Sequence, residues 1–245
     1  MFLEAYRSFA YVYDLLMDDI PYDEWVSYIL SLWAEYDSNP KLVLELGCGT
    51  GNITLRLAEL GYDMIGSDIS EDMLTVAKSK QKNNDVLFLC QDMRSFELYG
   101  TVDSIICLFD SLNYILNENE LLDTFKLVYN YLNPDGIFIF DLNTAYKFKH
   151  VLDNNSFSVV KDSAACIWGH IYNDDILEYF VTLFIKQNAD SYQKSEEFHY
   201  QKSYPIKKIK HLLDLAGLKL LNTYDAFTFD PVKPNSERVY FIASK

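Results

Sequence analysis

Cysteine is scarce in this sequence, and its spacing limits the covalent and metal bonds that could hold the fold together. Four of the 245 residues are cysteines, with no C-x-x-C pair and no histidine pair at ligand spacing: Cys48, Cys90, Cys107 and Cys166. Three of them lie in apolar runs or beside glycines, where free thiols are commonly buried. We therefore expect neither disulfides nor a metal site.

Positive charge is also scarce. The chain carries 21 lysines and arginines against 36 aspartates and glutamates, so its formal net charge is -15, and the longest basic run is the pair Lys207-Lys208. An acidic surface repels the phosphate backbone of nucleic acids. We therefore expect no nucleic-acid partner.

Long hydrophobic runs are missing as well. Residues 1–7 lack the basic start and apolar core of a secretory signal, and no run approaches the ~20 apolar residues of a membrane-spanning helix. We therefore expect a cytoplasmic protein with no membrane partner. We also expect a monomer or a homodimer. With 49% hydrophobic residues the chain can still bury a full core, and its length suits one domain with an insertion.

Glycine is rare too, yet three of the nine glycines alternate within one short stretch. Gly47, Gly49 and Gly51 follow the apolar run 42–46, and apolar residues recur at helical spacing over 53–60. The pattern predicts a buried strand, a glycine turn and a helix. Glycine lets the backbone approach a ligand closely, and the helix directs free N–H groups towards it. The stretch therefore indicates a nucleotide-type site.

The spacing of these glycines separates the site from other nucleotide sites. Asn52 stands where the G-x-G-x-x-G fingerprint of dinucleotide folds needs its third glycine, and no Gly-Lys-Ser/Thr follows. The pattern Glu45-x-Gly47-x-Gly49-x-Gly51 resembles motif I of the class I S-adenosylmethionine-dependent methyltransferases of the small-molecule type. The resemblance implies S-adenosylmethionine (SAM) as the cofactor, and Glu45 suits the cationic amino group of that molecule.

Acidic residues end several of the later predicted strands. The strand over 62–68 ends in Asp68, about 20 residues after Gly47, where nucleotide-binding folds hold the ribose hydroxyls. Ser70 then caps a helix, so Asp68 is not needed for capping.

Two further loops complete the predicted site. The strand over 86–90 leads into Asp92 and Met93, which resemble the family's adenine-side residues, although an aspartate before a loop is also a common turn residue. The strand over 102–108 leads into Phe109 and Asp110, in the loop that faces the transferred methyl group in related enzymes. The resemblance thus predicts a cofactor site of Glu45, Gly47, Cys48, Gly49, Gly51, Asp68, Ile69, Met73, Asp92, Met93, Phe109 and Asp110.

The alternation of strands and helices predicts an α/β fold with a doubly wound, mostly parallel sheet. The resemblance implies a Rossmann-like sheet of seven strands, one of them antiparallel, built from residues 39–143 and 204–245. Strand periodicity predicts an inserted antiparallel β subdomain over 144–203, which in the family covers the substrate. Residues 1–38, rich in aromatic residues, resemble the family's N-terminal helical cover.

The function implied by the resemblance is methyl transfer from SAM to nitrogen or oxygen of a small-molecule acceptor. Candidates for a polar role in catalysis are Tyr13 in the cover, Asn113 in the loop after the fourth strand, and His199 in the insertion, although a lone histidine is more often structural. Two alternatives remain open. One is a catalytically silent SAM-binding regulatory module, and the other is a nicotinamide-dependent oxidoreductase, although the glycine spacing does not match the fingerprint of that class.

Overall fold

Seven α-helices and eleven strands are present in the part of the chain that the computed structural model describes, residues 7–82, 86–188 and 191–245, together with a 3₁₀-helix (Ser111–Tyr114) and a π-helix (Phe148–Leu152). The helices are α1 (Arg7–Leu16), α2 (Tyr22–Glu35), α3 (Asn52–Glu59), α4 (Glu71–Lys80), α5 (Glu118–Tyr131), α6 (Ala145–Lys147) and α7 (Ile206–Ala216). The strands are β1 (Leu42–Leu46), β2 (Asp63–Asp68), β3 (Leu87–Cys90), β4 (Val102–Cys107), β5 (Leu132–Asn143), β6 (Ser156–Val160), β7 (Ala164–Asn173), β8 (Ile176–Asn188), β9 (Ser191–Lys202), β10 (Lys219–Asp225) and β11 (Arg238–Ser244). Residues 1–6 of the predicted cover lie outside the described ranges.

The main sheet has seven strands in the order β10-β11-β5-β4-β1-β2-β3. Strands β1 to β5 pair in parallel, whereas β11 runs antiparallel to both of its neighbours. The predicted α/β fold, with one antiparallel strand in a mostly parallel sheet, is confirmed. Because parallel strands all end at the same edge, the loops after β1, β2, β3 and β4 meet there.

Helices cover both faces of this sheet. The helices α2, α3 and α4 pack on one face, where the indole N–H of Trp33 donates to Ser104 Oγ at 3.0 Å. The helices α5 and α7 pack on the other face around Phe125 and Leu213. Ser70 accepts from Met73 N at the start of α4, and Gly217 ends α7 in the left-handed conformation.

One strand begins earlier than its sequence indicates. The turn residues at 133–136 predict a break between α5 and a strand that starts at Ile137. Instead, Leu132 already pairs with Val102, and the register shifts before Ser104 pairs with Ile137. The turn residues therefore lie within the strand, where Asp135 has φ +62°. They produce an irregularity in the pairing of β4 with β5 instead of a separate loop.

The second sheet is antiparallel, in the order β6-β7-β8-β9, and forms the predicted insertion between β5 and α7. Asp174 and Asp175 connect β7 to β8 with φ values of +48° and +66°, which suits a two-residue hairpin turn. Helix α1 packs on this sheet, with Phe9, Val12 and Leu16 against a group that includes Ala164, Cys166 and Leu183. The first helix therefore belongs to the insertion's core.

Candidate active site

The glycine turn after β1 has the backbone geometry that only glycine adopts easily. Gly47, Gly49 and Gly51 have φ values of +71°, +53° and +75°. A Cβ at Gly47 would lie 2.7 Å from Ser111 Oγ, whereas one at Gly49 would meet no atom within 4 Å. The turn is thus tightly packed at Gly47 and open at Gly49, so its backbone can lie directly against a ligand.

Replacing Gly47 with alanine should cost both stability and cofactor affinity. A left-handed alanine alone costs roughly 1–2 kcal/mol, and at Gly47 the new methyl group also displaces Ser111. Gly61→Ala is the matched control, because Gly61 has φ +96° and open space around its Cβ position. We expect both variants to be less stable in urea titration, but only Gly47→Ala to lose SAM affinity in calorimetry. Equal SAM affinities would contradict this assignment.

Asp68, at the end of β2, is held by the backbone on both sides. Its Oδ2 accepts from Gly49 N at 2.8 Å, and its Oδ1 accepts from Ser70 N at 2.9 Å. Burial raises the pKa of this carboxyl, and the two N–H donors act in the opposite direction. The carboxylate therefore links the glycine turn to the start of α4 and fixes the relative position of the two loops.

Glu45, on β1, is a buried carboxyl directly behind the turn, with Thr54 Oγ1 as its hydrogen-bond donor. Loss of hydration raises its pKa to about 8, and the negative charge of Asp68 adds to the shift. Such a carboxyl gains from a cation placed beside it, because burial disfavours its charged form.

The raised pKa of Glu45 gives a pH-dependent stability. Between the ordinary pKa of a glutamate, 4.5, and about 8, Glu45 keeps a proton in the folded protein that it has lost in the unfolded chain. The free energy of unfolding therefore falls as pH rises through that range. In Glu45→Gln the group stays neutral. We expect urea titrations to show the variant gaining on the wild type by more than about 1 kcal/mol from about pH 5 to about pH 8. A stability difference that does not change with pH, or the same trend in the exposed control Glu59→Gln, would refute this prediction.

Asp92, after β3, has its carboxylate engaged by Arg94. The closest contact joins Arg94 Nη2 to Asp92 Oδ2 at 2.6 Å, and Arg94 Nη1 also donates to Glu120 Oε2 at 2.9 Å. Burial raises the pKa of Asp92, but the hydrogen bonds from Arg94 outweigh it, so the net pKa is lowered. Arg94, which the sequence analysis did not single out, therefore shares the predicted adenine side of the site.

The loop after β4 places two strained residues at the sheet edge. Phe109 and Asp110 have φ values of +56° and +54°, a conformation that costs non-glycine residues energy. The Phe109 ring stacks on Trp25 at a centroid distance of 3.8 Å. The strain is therefore held in place from the side of α2.

The Asp110 side chain is held from two other elements. Its Oδ1 accepts from Arg238 Nη2 at 2.7 Å, and its Oδ2 accepts from Gln201 Nε2 at 2.6 Å. Its backbone N–H donates to Asp141 Oδ2 at 2.9 Å, and Arg238 Nη1 contacts the same oxygen. Sequence reasoning missed both Arg238 and Gln201, although they decide where the loop sits.

A cavity of ≈ 650 Å³ opens above these loops and extends to the inner face of the insertion. Tyr13 and His199 line it, as do the predicted cofactor residues other than Gly51. A Cβ at Gly51 would approach the Ala77 side chain to 3.1 Å, so this glycine serves the packing of α3 against α4. The wall contributed by the insertion includes Trp168, Tyr179 and Glu197.

Asn113 lies away from the cavity and is fully buried. Its side-chain amide donates to the backbone oxygens of Asn143 and Lys202, at 3.2 and 2.7 Å, and its side-chain oxygen accepts from Asn143 N. The structure thus places Asn113 outside the cavity, whereas a catalytic residue is expected to line it. It joins the turn after β4 to the ends of β5 and β9.

Tyr13, on α1, and His199, on β9, both line the cavity. Burial holds the pKa of Tyr13 well above its usual value, so its hydroxyl keeps its proton at neutral pH. His199 Nε2 lies 3.2 Å from Glu197 Oε2, with side-chain exposures of 4% and 8%. A buried polar pair therefore lies on the inner face of the insertion.

Asp14 anchors α1 to the glycine turn. Its Oδ1 accepts from Thr50 Oγ1 at 2.6 Å and from Asn52 Nδ2 at 2.8 Å, while its Oδ2 pairs with Lys80 Nζ at 2.6 Å. These contacts lower the pKa of Asp14 despite its partial burial. The helix beside the cavity is thereby fixed to the loop that forms the cavity floor.

Within the described residues, no group of three or more histidine, cysteine, aspartate or glutamate side chains could hold a metal ion. In the same ranges, no helix is both long and apolar enough to cross a membrane. All four cysteines are free, and only Cys90 among them is exposed.

Comparison with known proteins identifies the family. A profile described as a methyltransferase domain matches residues 43–136. A Geobacillus sp. (strain WCH70) protein, provisionally named a methyltransferase, is 35% identical over 98% of this chain and 100% of its own length. A SAM-dependent methyltransferase from Clostridium acetobutylicum ATCC 824 superposes with a TM-score of 0.87 at 30% identity, over 98% of each chain. CalS10, an amino pentose methyltransferase from Micromonospora echinaspora solved with SAM bound, shares the fold, with a TM-score of 0.76 at 16% identity over 96% and 95% of the two chains.

These matches set aside the nicotinamide oxidoreductase and the silent binding module as readings of the site. The relatives match nearly the whole chain, so the matches include the sheet, the helices and the insertion alike. The chain therefore belongs to the class I S-adenosylmethionine-dependent methyltransferases.

Proposed function

We propose that this methyltransferase acts on a small-molecule acceptor, at nitrogen or oxygen, inside the cavity between the sheet edge and the insertion. The observation that carries the proposal is the continuity of that cavity, whose lining runs from Gly47 and Asp68 at the sheet edge to Trp168 and His199 in the insertion. Its volume of ≈ 650 Å³ is in the range of small-molecule sites, roughly 300–1,000 Å³.

The residues at the sheet edge fit SAM. The open space at Gly49 admits a ligand against the backbone, Asp68 offers carboxylate oxygens for ribose hydroxyls, and Glu45 offers a buried acid for a cation. When bound, SAM supplies an activated methyl group on a sulfonium. Little further activation is then required of the protein, whose main work is positioning.

The remaining residues orient the acceptor and exclude water. Tyr13, held protonated by burial, can donate a hydrogen bond across the cavity, and His199 can hold a proton that the acceptor gives up. Helix α1, fixed by Asp14 to the glycine turn, closes one side of the space. In this proposal the insertion and α1 shape the acceptor half, while the sheet edge holds the cofactor.

The test is to incubate the protein with methyl-tritiated SAM and a bacterial cell extract, and then to separate the products by size. We expect protein-dependent label in the fraction below about 1 kDa. Label carried by RNA or protein would contradict a small-molecule acceptor. The Asp68→Ala variant serves as the control for label that does not require cofactor binding.

A further inference from the structure

The lining of the cavity is strongly acidic. Among the described residues, the acidic side chains that line it are Glu45, Asp68, Asp92, Asp110, Glu196 and Glu197. The same lining contains one arginine, Arg94, and no lysine. An acceptor bearing a carboxylate or phosphate would meet repulsion there with little to offset it.

Most of these acids are already assigned. Asp92 is paired with Arg94, and Asp110 accepts from Arg238 and Gln201. Glu45 and Asp68 lie at the glycine turn, and Glu196 is exposed and paired with Lys194. Glu197 is the acid that the insertion presents, nearly buried, to the acceptor half of the cavity.

Glu197 is a buried acid on the inner face of the insertion. It alternates with His199 and Gln201 along β9, and all three side chains are buried on the face towards the main sheet. A strand of an inserted sheet normally turns apolar residues inwards. Its Oε2 lies 3.2 Å from His199 Nε2. A buried carboxylate that lines a cavity favours a cationic ligand over a neutral or anionic one.

Aromatic rings surround the same half of the cavity. Tyr13 comes from α1, Tyr114 from the turn after β4, Trp168 from β7 and Tyr179 from β8. The Tyr114 ring lies 6.0 Å from the His199 ring, edge to face. Ring faces attract alkylammonium groups, and the attraction grows when water is excluded.

We propose that the acceptor is an amine that enters the cavity as its ammonium ion, held by Glu197 and by the surrounding aromatic rings. This inference rests on the proposed function and names its substrate class. Before transfer, one N–H proton passes from the ammonium to the His199 imidazole, leaving an uncharged amine with a free electron pair and an imidazolium. Glu197 then balances the imidazolium charge, so Glu197 is a specificity-determining residue that sequence reasoning missed.

The test uses three probes of similar size and different charge: 2-phenylethylamine, 2-phenylethanol and 3-phenylpropionate. Each is titrated by calorimetry into the full chain saturated with S-adenosylhomocysteine. We expect the amine to bind at least about tenfold more tightly than the alcohol, and the carboxylate to bind most weakly. Glu197→Gln should remove the preference for the amine. Glu178→Gln should retain it, because Glu178 belongs to the same sheet but does not line the cavity.

An amine that binds no better than the alcohol overturns the inference, as does a preference that survives in Glu197→Gln. Thermal unfolding and S-adenosylhomocysteine affinity, measured on both variants, show whether each is folded with an intact cofactor half. If Glu197→Gln does not fold, Glu197→Asp replaces it, and an unchanged preference with the shortened side chain counts against the inference. The size fractionation of labelled products tests the proposed function separately, since small neutral or acidic products would leave that function standing and sink this inference alone.

Discussion

Asp68→Ala should abolish most of the cofactor affinity while leaving the fold intact. In the present structure the Asp68 carboxylate holds Gly49 N and Ser70 N, so its loss frees the glycine turn as well as removing the oxygens offered to ribose. Loss of a charged hydrogen-bonding group costs at least ~1 to 3 kcal/mol, and each 1.4 kcal/mol is about tenfold in affinity. We expect calorimetry to show SAM binding weakened by roughly ten- to a hundredfold or more.

The matched control is Asp63→Ala, because Asp63 begins the same strand but is exposed and lies away from the cavity. It removes the same charge and should leave SAM affinity unchanged. Asp68→Asn separates the two roles of the carboxylate, since an amide oxygen can still accept from one N–H group. Unchanged affinity in Asp68→Ala would show that the sugar is held elsewhere.

The predictable part of the molecule is the part written in local sequence. The strand, turn and helix around Gly47 follow from hydrophobic periodicity and from φ values that only glycine adopts easily. The cap of α4 at Ser70 follows from local side-chain chemistry. Strand alternation revealed the insertion, since β7, β8 and β9 are each at least ten residues long.

The remainder depends on contacts between distant segments. Arg238 meets Asp110 across 128 residues of sequence, and Gln201 meets it across 91. Neither side chain carries a local pattern that would reveal its partner. The polar inner face of β9 offered a weak signal, because Glu197, His199 and Gln201 alternate where a covering sheet should be apolar. Of these three residues, only His199 was predicted from the sequence.

Asn113 shows the opposite difficulty. An asparagine in the loop beside the expected methyl group suggested a catalytic role, because position along the chain was the only guide. The fold buries its amide among backbone groups of β5 and β9, where it bonds to the ends of both strands. A polar residue near a site in sequence can thus be part of the framework that carries the site.

Arg238 links the framework to the active site, and its removal should be the most destabilising change to the polar network. The guanidinium is buried between Asp110 and Asp141, and it also lies over the Trp25 ring at 5.2 Å. Burial raises the pKa of Asp141, and the charge of Arg238 opposes that effect. In Arg238→Met both carboxylates lose their counter-charge inside the protein, which typically costs 3–5 kcal/mol, so we expect a loss of about 3 kcal/mol or more in urea titration.

Two further variants test whether the uncompensated charges cause this loss of stability. Arg56→Met removes an ion pair with Asp23, whose side chain is 91% exposed, so it should cost at most about 1 kcal/mol. Adding Asp141→Asn to Arg238→Met removes one of the stranded charges and should restore part of the stability, because the penalty comes from the uncompensated carboxylates. If the double variant is less stable than Arg238→Met, packing of the arginine stem accounts for the loss. If the double variant is more stable than Arg238→Met, the uncompensated carboxylates account for the loss. The strained loop of Phe109 and Asp110 is then held in position by a buried cation from the last strand of the sheet.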